Sequence, residues 1–400
     1  MTRTLLRHMS LLALGWIPVS TLSAQVNSPA MVTYRAVVDL AGGPLRFSMS
    51  LGADSSRLCN GSHCDRLPAP MVSGDSIHIN IPDYAATISA VQRHDSLIGA
   101  YHNVGNRGPR VIPFRASRGT WPVEPAPSGL IGRWNATYTQ DEKTSRRVLE
   151  FRNAPAGLEG TVISNTGDYG LFWGRAEADS FSMGHFDGSF VYMLTGRLDG
   201  DTLRGIFHAG IRTQTPWAAV RAGSEPWLKQ PTELTSADTS EVFHFSFPDP
   251  EGKTWTEKDP RFRNKVVLVD IFGTWCPTCH DAAPVLTRLY DRYHSRGLEI
   301  VGLAYEVSGD PAIDGKQVQL YRAKFGIQFP LLIAGINDTE AAAATLPQLQ
   351  GFVSFPTSIF LGRDGKIRLV HAGFYGPSMG AAHQQLIAEF EKTIETLLAH

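Results

Sequence analysis

The first part of the chain alternates between apolar and polar residues in short runs that are separated by turn residues. Between about residues 33 and 116, runs such as 45–51 and 77–81 place every second residue on one apolar face. A period of two is typical of half-buried strands, and this region has no convincing helical period. The pattern therefore predicts antiparallel β structure.

The same pattern recurs after a linker that contains Pro122, Pro125 and Pro127. Residues 95–102 match residues 201–208, and further matched pairs are Tyr34 with Tyr138, Leu45 with Leu149, Phe47 with Phe151, Asp75 with Asp179, and Arg115 with Arg221. We interpret residues 28–120 and 128–224 as two tandem related β units, each a barrel or sandwich or one half of a larger one. Chance similarity between turn-rich strands is the alternative explanation.

The pattern changes after a second linker at residues 225–240, which is rich in Pro, Ser, Thr and Asp. Continuous apolar runs then alternate with helical stretches throughout residues 241–400. The predicted strands are Val266–Phe272, 299–304, 329–333 and 358–361, and the predicted helices cover 279–296, 316–325, 339–350 and 379–398. This alternation predicts an α/β domain with a central sheet, so the chain is multidomain, with an all-β region followed by an α/β domain.

The composition is that of a folded protein and lacks the excess of basic residues that is typical of nucleic-acid binding. Of the 400 residues, 42% are hydrophobic and 19% are charged, and the formal net charge is −1. No cluster of Lys and Arg indicates binding to nucleic acid or to an anionic membrane surface. The length suggests two or three domains.

The N-terminal segment has the three parts of a secretory signal. Arg3 and Arg7 precede an apolar run at 11–19, and small residues follow as far as Ala24. We expect residues 1–24 to be removed, which predicts a periplasmic or otherwise extracytoplasmic protein without a stable membrane anchor. An uncleaved anchor is the alternative, but the apolar run is shorter than the roughly 20 residues needed to cross a bilayer. Gln25 stands where a lipoprotein would have a cysteine.

The chemistry of the chain centres on Trp275-Cys276-Pro277-Thr278-Cys279, which lies between a predicted strand and a predicted helix. At a helix start, free backbone N–H groups and the helix dipole stabilise a thiolate on the first cysteine. Pro277 suits the first turn, where no N–H is needed. The spacing favours a redox-active disulfide, and half of a zinc site is the alternative, although this domain has no second ligand pair at zinc-site spacing. We therefore predict no metal.

A second cysteine pair, Cys59 and Cys64, lies in a turn-like stretch of the first β unit. The corresponding stretch of the second unit has no cysteine, which favours a structural disulfide that only one copy needs. A second redox pair that passes electrons to Cys276, or a metal site that uses His63, are the alternatives.

Several further segments accompany the Cys-x-x-Cys pair in residues 241–400. They are Val-Asp-Ile-Phe-Gly-Thr before Trp275, Pro284 in the following helix, Phe355-Pro356-Thr357, Arg363-Asp364-Gly365-Lys366, and Gly373-Phe374-Tyr375-Gly376-Pro377. With these features the region resembles the TlpA/ResA-like family of extracytoplasmic thiol–disulfide oxidoreductases, which have the thioredoxin fold. The resemblance covers some 40% of the chain and leaves out the β units.

The resemblance implies a catalytic role for three residues. Cys276, partly exposed at the helix start, attacks a substrate disulfide, and the shielded Cys279 then resolves the mixed disulfide. Asp270, six residues before Cys276, is implied as the base that deprotonates Cys279. An unpaired charge inside an apolar run is costly, which favours this role over that of a residue that only ends the strand.

The resemblance also implies a substrate-binding surface. Pro356 is expected as a cis-proline that presents the backbone of Phe355 to an extended substrate, and Trp275 is expected to shape the same surface. A purely structural aromatic is the alternative for Trp275 and Phe355. Many relatives carry a Glu three residues after the second cysteine, but this chain has Ala282 there, which favours proton transfer through Asp270.

The leading hypothesis is an extracytoplasmic oxidoreductase that reduces protein disulfides and needs no bound cofactor. The resemblance implies electrons from a membrane thiol carrier of the DsbD/CcdA kind, and clients that include apocytochromes c during cytochrome c biogenesis. One alternative is a peroxiredoxin-type thiol peroxidase, which Gly273 disfavours because such sites have Thr there. The other is a ligand- or partner-binding β protein with an accessory thioredoxin domain.

Overall fold

The computed structural model describes residues 31–105 and 108–400. The predicted signal segment at 1–24 lies outside the described residues. The described chain forms two large antiparallel sheets, one after the other, and then an α/β domain with a five-stranded sheet. No helix among the described residues is long and apolar enough to cross a membrane.

The first nine strands form an open, curved sheet that we call the half-barrel. Its strands run in the order β4-β3-β2-β1-β9-β8-β7-β6-β5. In β2 and β6 every second residue is apolar and buried, as the period of two predicts. The bounds are β1 (Val32–Leu40), β2 (Gly43–Leu51), β3 (Ser56–Asn60), β4 (His63–Leu67), β5 (Met71–Ser73), β6 (Ser76–Ile81), β7 (Ala86–Arg93), β8 (Ser96–Gly105) and β9 (Gly108–Arg118).

The next nine strands form a sheet in which β11 also pairs with β12 and closes an eight-stranded barrel, with β13 attached outside the ring. Trp134 lies in the core of this barrel and its indole N–H donates to the Leu130 carbonyl. The bounds are β10 (Gly132–Gln140), β11 (Lys143–Ala154), β12 (Gly157–Ser164), β13 (Gly167–Asp168), β14 (Phe172–Glu177), β15 (Ser180–Phe186), β16 (Val191–Asp199), β17 (Thr202–Ala209) and β18 (Thr213–Arg221).

The half-barrel and the barrel share one strand order, since β10 to β18 follow one another in space as β1 to β9 do. This order is the one expected of two tandem related units, which stay a prediction, and the match of 95–102 with 201–208 falls on the equivalent strands β8 and β17. The match of Tyr34 with Tyr138 is wrong in register. The first hairpin of the half-barrel turns at residues 41–42, and the first hairpin of the barrel turns at residues 141–142. When the two turns are aligned, Tyr34 corresponds to Trp134 and Val38 corresponds to Tyr138.

A turn of the barrel closes the open side of the half-barrel. This capping turn, residues 186–191, joins β15 to β16 and places Phe186 and Val191 in the half-barrel core. The Asn60 side chain donates to the Phe186 carbonyl at 2.9 Å and accepts from the Phe186 N–H at 3.0 Å. The Tyr101 hydroxyl donates to the Gly188 carbonyl at 2.9 Å. The two β units therefore share part of a core.

The last domain has a sheet of order β24-β23-β22-β26-β27, in which β22 lies between parallel β23 and antiparallel β26. Every residue of β22 is buried, as its continuous apolar run predicts. The strands are β19 (Ser236–Ala237), β20 (Ser246–Pro248), β21 (Thr254–Thr256), β22 (Val266–Phe272), β23 (Leu298–Glu306), β24 (Leu331–Ile336), β25 (Leu349–Gln350), β26 (Thr357–Leu361) and β27 (Ile367–Ala372). The helices are α1 (Pro277–Tyr293), α2 (Pro311–Phe325), α3 (Thr339–Thr345) and α4 (Ala381–Leu398).

All four helices differ from their predicted bounds, and the two largest differences have local reasons. Helix α2 begins at Pro311, earlier than predicted, because the Asp310 carboxylate caps the N–H groups of Ala312 and Ile313. Helix α3 ends at Thr345, before the predicted 350, because Leu346 precedes a proline and its φ of −129° and ψ of 67° lie outside the helical region.

Candidate active site

The two cysteines of the last domain lie where β22 passes into α1. Cys276 is the N-cap of α1, and its sulfur accepts a hydrogen bond from the Cys279 N–H at 3.4 Å. Both cysteines are free thiols in this structure. The Cys276 thiol also faces the Phe355 carbonyl at 3.6 Å. The structure therefore brings the predicted redox pair together at a helix N-terminus.

The expected partial exposure of Cys276 is wrong, because its exposed fraction is 4%, against 1% for Cys279. The capping turn of the barrel lies against the active-site loop, where the Ser189 hydroxyl donates to the Trp275 carbonyl at 3.2 Å. Phe190 lines one cavity with Pro277 and Thr278 and a second cavity with Trp275. The β units thus cover the loop that carries Cys276, which the isolated motif does not indicate.

Asp270 lies in β22 as predicted, buried beneath the cysteines. Burial alone raises the pKa of its carboxyl to about 7. Its Oδ1 has no hydrogen-bond partner among the described residues. Burial, Cys276 and Asp270 together raise the pKa of the Cys279 thiol well above its ordinary value. A buried carboxyl that titrates near neutrality is thus electrostatically coupled to the thiol that must lose a proton.

The Phe355–Pro356 peptide bond is cis, as predicted. The Phe355 ring packs against Trp275 at 5.7 Å, Tyr305 at 5.6 Å and Phe352 at 5.2 Å between ring centroids. The Trp275 indole N–H donates to the Tyr305 carbonyl at 2.8 Å. Trp275 and Phe355 therefore form one aromatic wall beside Cys276, and their contact with substrate stays a prediction.

Sequence reasoning missed Glu306, at the end of β23. Its carboxylate accepts hydrogen bonds from the Thr274 N–H at 2.9 Å and from the Thr274 hydroxyl at 2.6 Å. Burial raises the pKa of Glu306 to about 7, although both hydrogen bonds oppose the shift. An acidic residue that ends an apolar strand at the same sheet edge as the cysteines was the available signal.

Sequence reasoning also missed His280, directly after Cys279. Its Nε2 donates to the Thr274 carbonyl at 2.7 Å, which leaves Nδ1 to accept from the Lys324 ammonium at 3.3 Å. Burial and the charge of Lys324 lower the pKa of His280 to about 4. Lys324 also pairs with Asp83 of the half-barrel at 2.6 Å. A chain of contacts therefore links the half-barrel to the active-site loop.

The barrel pairs through its backbone with the loop after β27. Gly167 and Phe374 form a parallel bridge, and the Phe374 N–H donates to the Thr166 carbonyl at 3.1 Å. A side chain at Gly167 would collide with the Phe374 carbonyl. The Asp168 carboxylate accepts from the Gly376 N–H at 2.6 Å and from the Ser378 hydroxyl. Close backbone contact therefore docks the barrel beside the cysteines.

Cys59 and Cys64 form a disulfide between directly paired residues of β3 and β4. The predicted bridge is confirmed, and it joins two strands of a hairpin. The tip of this hairpin packs on the barrel, where the Ser62 N–H donates to the buried Glu159 carboxylate at 2.6 Å. Among the described residues no cluster of His, Cys, Asp and Glu has the geometry to hold a metal ion.

Comparison with known proteins agrees with this geometry. Residues 237–380 match the Redoxin family. The chain is 26% identical to thiol-disulfide oxidoreductase ResA of Halalkalibacterium halodurans, over 39% of this chain and 76% of that protein. It is 30% identical to ResA of Geobacillus thermodenitrificans, over 32% and 66% respectively, and it spans 65% of ResA from Bacillus cereus.

The solved structures that align with this chain include a thiol:disulfide interchange protein of the thioredoxin family from Chlorobium tepidum TLS. The alignment has a TM-score of 0.31 at 22% identity and covers 41% of this chain and 99% of that one. The Redoxin match and the ResA relatives show that the last domain of this chain is similar to the thioredoxin-like oxidoreductases of the TlpA/ResA-like family.

Proposed function

We propose that this protein is an extracytoplasmic thiol–disulfide oxidoreductase that reduces disulfides in protein clients. The observation that carries the proposal is the Cys276–Cys279 pair at a helix N-terminus, close to the Phe355 carbonyl and electrostatically coupled to the buried carboxyl of Asp270. The amino-terminal signal pattern supports an extracytoplasmic location.

The proposed reaction has two exchange steps. The Cys276 thiolate attacks one sulfur of the client disulfide, and the other sulfur leaves as a thiolate that takes up a proton. Asp270 accepts the proton of Cys279, whose thiolate attacks the Cys276 sulfur and releases the second client thiol. The client gains two electrons and two protons, and the enzyme is left with a Cys276–Cys279 disulfide.

The enzyme must then be reduced again by a dithiol. We propose a membrane thiol carrier of the DsbD/CcdA kind as this donor, and apocytochromes c as one class of client, as in cytochrome c biogenesis. The favoured direction is reduction of the client disulfide, rather than oxidation of client thiols. A reduction potential near the roughly −270 mV of thioredoxin supports this direction, and one near the roughly −120 mV of DsbA contradicts it.

Trapping tests the mechanism directly. In Cys279→Ser the second step is blocked, so we expect mixed disulfides through Cys276 to accumulate in cells and to disappear with a thiol reductant. Cys276→Ser is the matched control and should trap nothing. Mass spectrometry of the adducts identifies the clients, and the absence of adducts would contradict the proposal.

A further inference from the structure

A cavity of about 480 Å³ lies where the half-barrel, the barrel and α1 meet. On the α1 side it is lined by Pro277, Thr278 and Asp281, so it begins one residue from Cys276. Its volume is within the roughly 300–1,000 Å³ of small-molecule sites. A group attached near a substrate disulfide can therefore enter it while the disulfide lies at Cys276.

More acidic than permanently basic side chains line this cavity. Five aspartates line it, against three permanent cations, Arg66, Arg152 and Lys324. Two of these cations already have partners, because Lys324 pairs with Asp83 and Arg152 pairs with the buried Glu159 at 3.2 Å. Two histidines lie next to two of the aspartates, with His63 3.5 Å from Asp65 and His185 3.4 Å from Asp187. The remaining aspartates are Asp168 and Asp281.

Asp281 differs from the other aspartates of this cavity because its carboxyl has no hydrogen-bonding or ion-pair partner within the described residues. Asp168 is held by the Gly376 N–H and the Ser378 hydroxyl, whereas Asp281 makes no hydrogen bond or ion pair within the described residues. One oxygen from each carboxyl lies near the same point beside Gly376, so the two groups face each other. Burial and then Asp168 raise the pKa of Asp281 well above its ordinary value. A cation that entered here would relieve the repulsion between the two carboxyls.

We propose that this cavity binds a cationic group close to the disulfide of the substrate, an ammonium or a guanidinium, and that Asp281 receives it. The inference rests on the proposed function and specifies its substrate. Asp281 lies five residues after Cys276, about 7.5 Å along the helix axis. An aminothiol or a basic side chain next to a cysteine spans this distance. The exchange itself follows the two steps given above, with the substrate disulfide as oxidant and the Cys276–Cys279 dithiol as reductant.

The test uses the pre-reduced full chain and three small disulfides of similar size. These are cystamine with two ammonium groups, bis(2-hydroxyethyl) disulfide with no charge, and 3,3′-dithiodipropionate with two carboxylates. Each single-turnover rate is divided by the rate with dithiothreitol at the same pH, which removes differences in intrinsic reactivity. We expect cystamine to exceed the neutral disulfide by about three- to fivefold, the size of one partly exposed charge pair, and the dianion to be slowest.

Variants assign the preference to Asp281. In Asp281→Asn the ratio of cystamine to neutral disulfide should fall to about 1, while Asp281→Glu should keep most of it. Asp291→Asn, on the exposed side of the same helix, is the matched control and should keep the full ratio. Circular dichroism establishes that each variant is folded. A ratio that survives Asp281→Asn overturns the assignment.

The pH dependence of the ratio is a second readout. Asp168, His185, His63 and Asp65 face Asp281 from the barrel and the half-barrel, and the pKa values of both histidines are raised. Loss of the Asp281 proton and of the histidine charges both make the cavity more negative as the pH rises, so the preference for cystamine, measured from pH 6 to 8.5, should increase. A preference that is constant or decreases with pH overturns the inference.

Two peptides distinguish the sources of the cation. A ten-residue disulfide peptide with Lys beside each cysteine should react faster than its Glu counterpart, and faster than cystamine if the natural source is a protein. Equal normalised rates for all the disulfides overturn this inference but leave the proposed function intact. If neither these disulfides nor insulin is reduced, the proposed function itself fails.

Discussion

Asp270 and Glu306 are two buried acids of one domain whose pKa values both lie near 7, yet their surroundings differ. Glu306 accepts two hydrogen bonds from Thr274, whereas Oδ1 of Asp270 has no partner in the described part of the chain. A raised pKa alone therefore does not identify a base. Hydrogen bonds show that one carboxylate holds the active-site loop, and the lack of a partner leaves the other free to exchange a proton.

The largest expected effect is on stability, in Asp270→Asn. The pKa of Asp270 is higher in the folded state than in the unfolded state, so the native protein binds the extra proton and its free energy of unfolding falls as the pH rises from about 4 through 7. Asparagine removes this loss. We expect the variant to be roughly 2 to 4 kcal/mol more stable than the parent at pH 8, and nearly equal at pH 4, by urea unfolding. A variant that is less stable at pH 8 would mean that Asp270 has an unrecognised partner.

Glu306→Gln should gain less stability at pH 8 than Asp270→Asn, because the removal of a carboxylate with a raised pKa is offset by the loss of a hydrogen-bond acceptor. An amide presents only one acceptor to the two Thr274 donors, so one buried donor loses its partner. The unpaired donor should cost about 1 to 3 kcal/mol, so the gain at pH 8 should be smaller than that of Asp270→Asn by about this amount in the same urea experiment. A gain as large as that of Asp270→Asn would show that the two acids are equivalent and would break the comparison.

The next effect in size concerns the rate of disulfide reduction, which should distinguish Asp270 from Glu306. Asp270→Asn should slow the resolution of the mixed disulfide by about tenfold or more below pH 8, because Cys279 then lacks its base. The defect should shrink at higher pH, where hydroxide replaces the carboxylate. Rapid-quench measurement of the mixed disulfide tests this, and equal rates at pH 7 would remove Asp270 from the proton transfer.

The smallest effect is expected from Thr274→Val, which removes one hydroxyl donor to Glu306. The expected loss of stability is about 1 kcal/mol. A double-mutant cycle should show coupling of Thr274→Val with Glu306→Gln and additivity with Asp270→Asn. Coupling to Asp270 of equal size would mean that both acids belong to one network.

Local chemistry made part of the site predictable. The strand ending before Cys276, Asp270 within an apolar run and the proline after Phe355 are visible in the sequence because each breaks a regular pattern. Glu306 also breaks an apolar run, but its hydrogen bonds to Thr274 depend on tertiary packing, as does the contact of His280 with Lys324.

The burial of Cys276 was unpredictable for a different reason. It depends on how the capping turn of one domain docks on another, and periodicity within a strand carries no information about docking between domains. The repeat in the β region was visible as matched residues, but its first register was wrong because strand pairing, not residue identity, decides which positions correspond.

The contact between the capping turn and the last domain has a consequence for the order in which the domains fold and dock. In an exported chain the half-barrel and barrel reach the oxidising compartment ahead of the last domain, and domains generally fold as units in that order. Cys59 and Cys64 face each other across one hairpin, so they can pair before Cys276 and Cys279 arrive. The last domain then docks on a surface that already exists, and Ser189 meets Trp275 only at that stage. The chain order thus separates its four cysteines in time and limits incorrect disulfides between the two pairs.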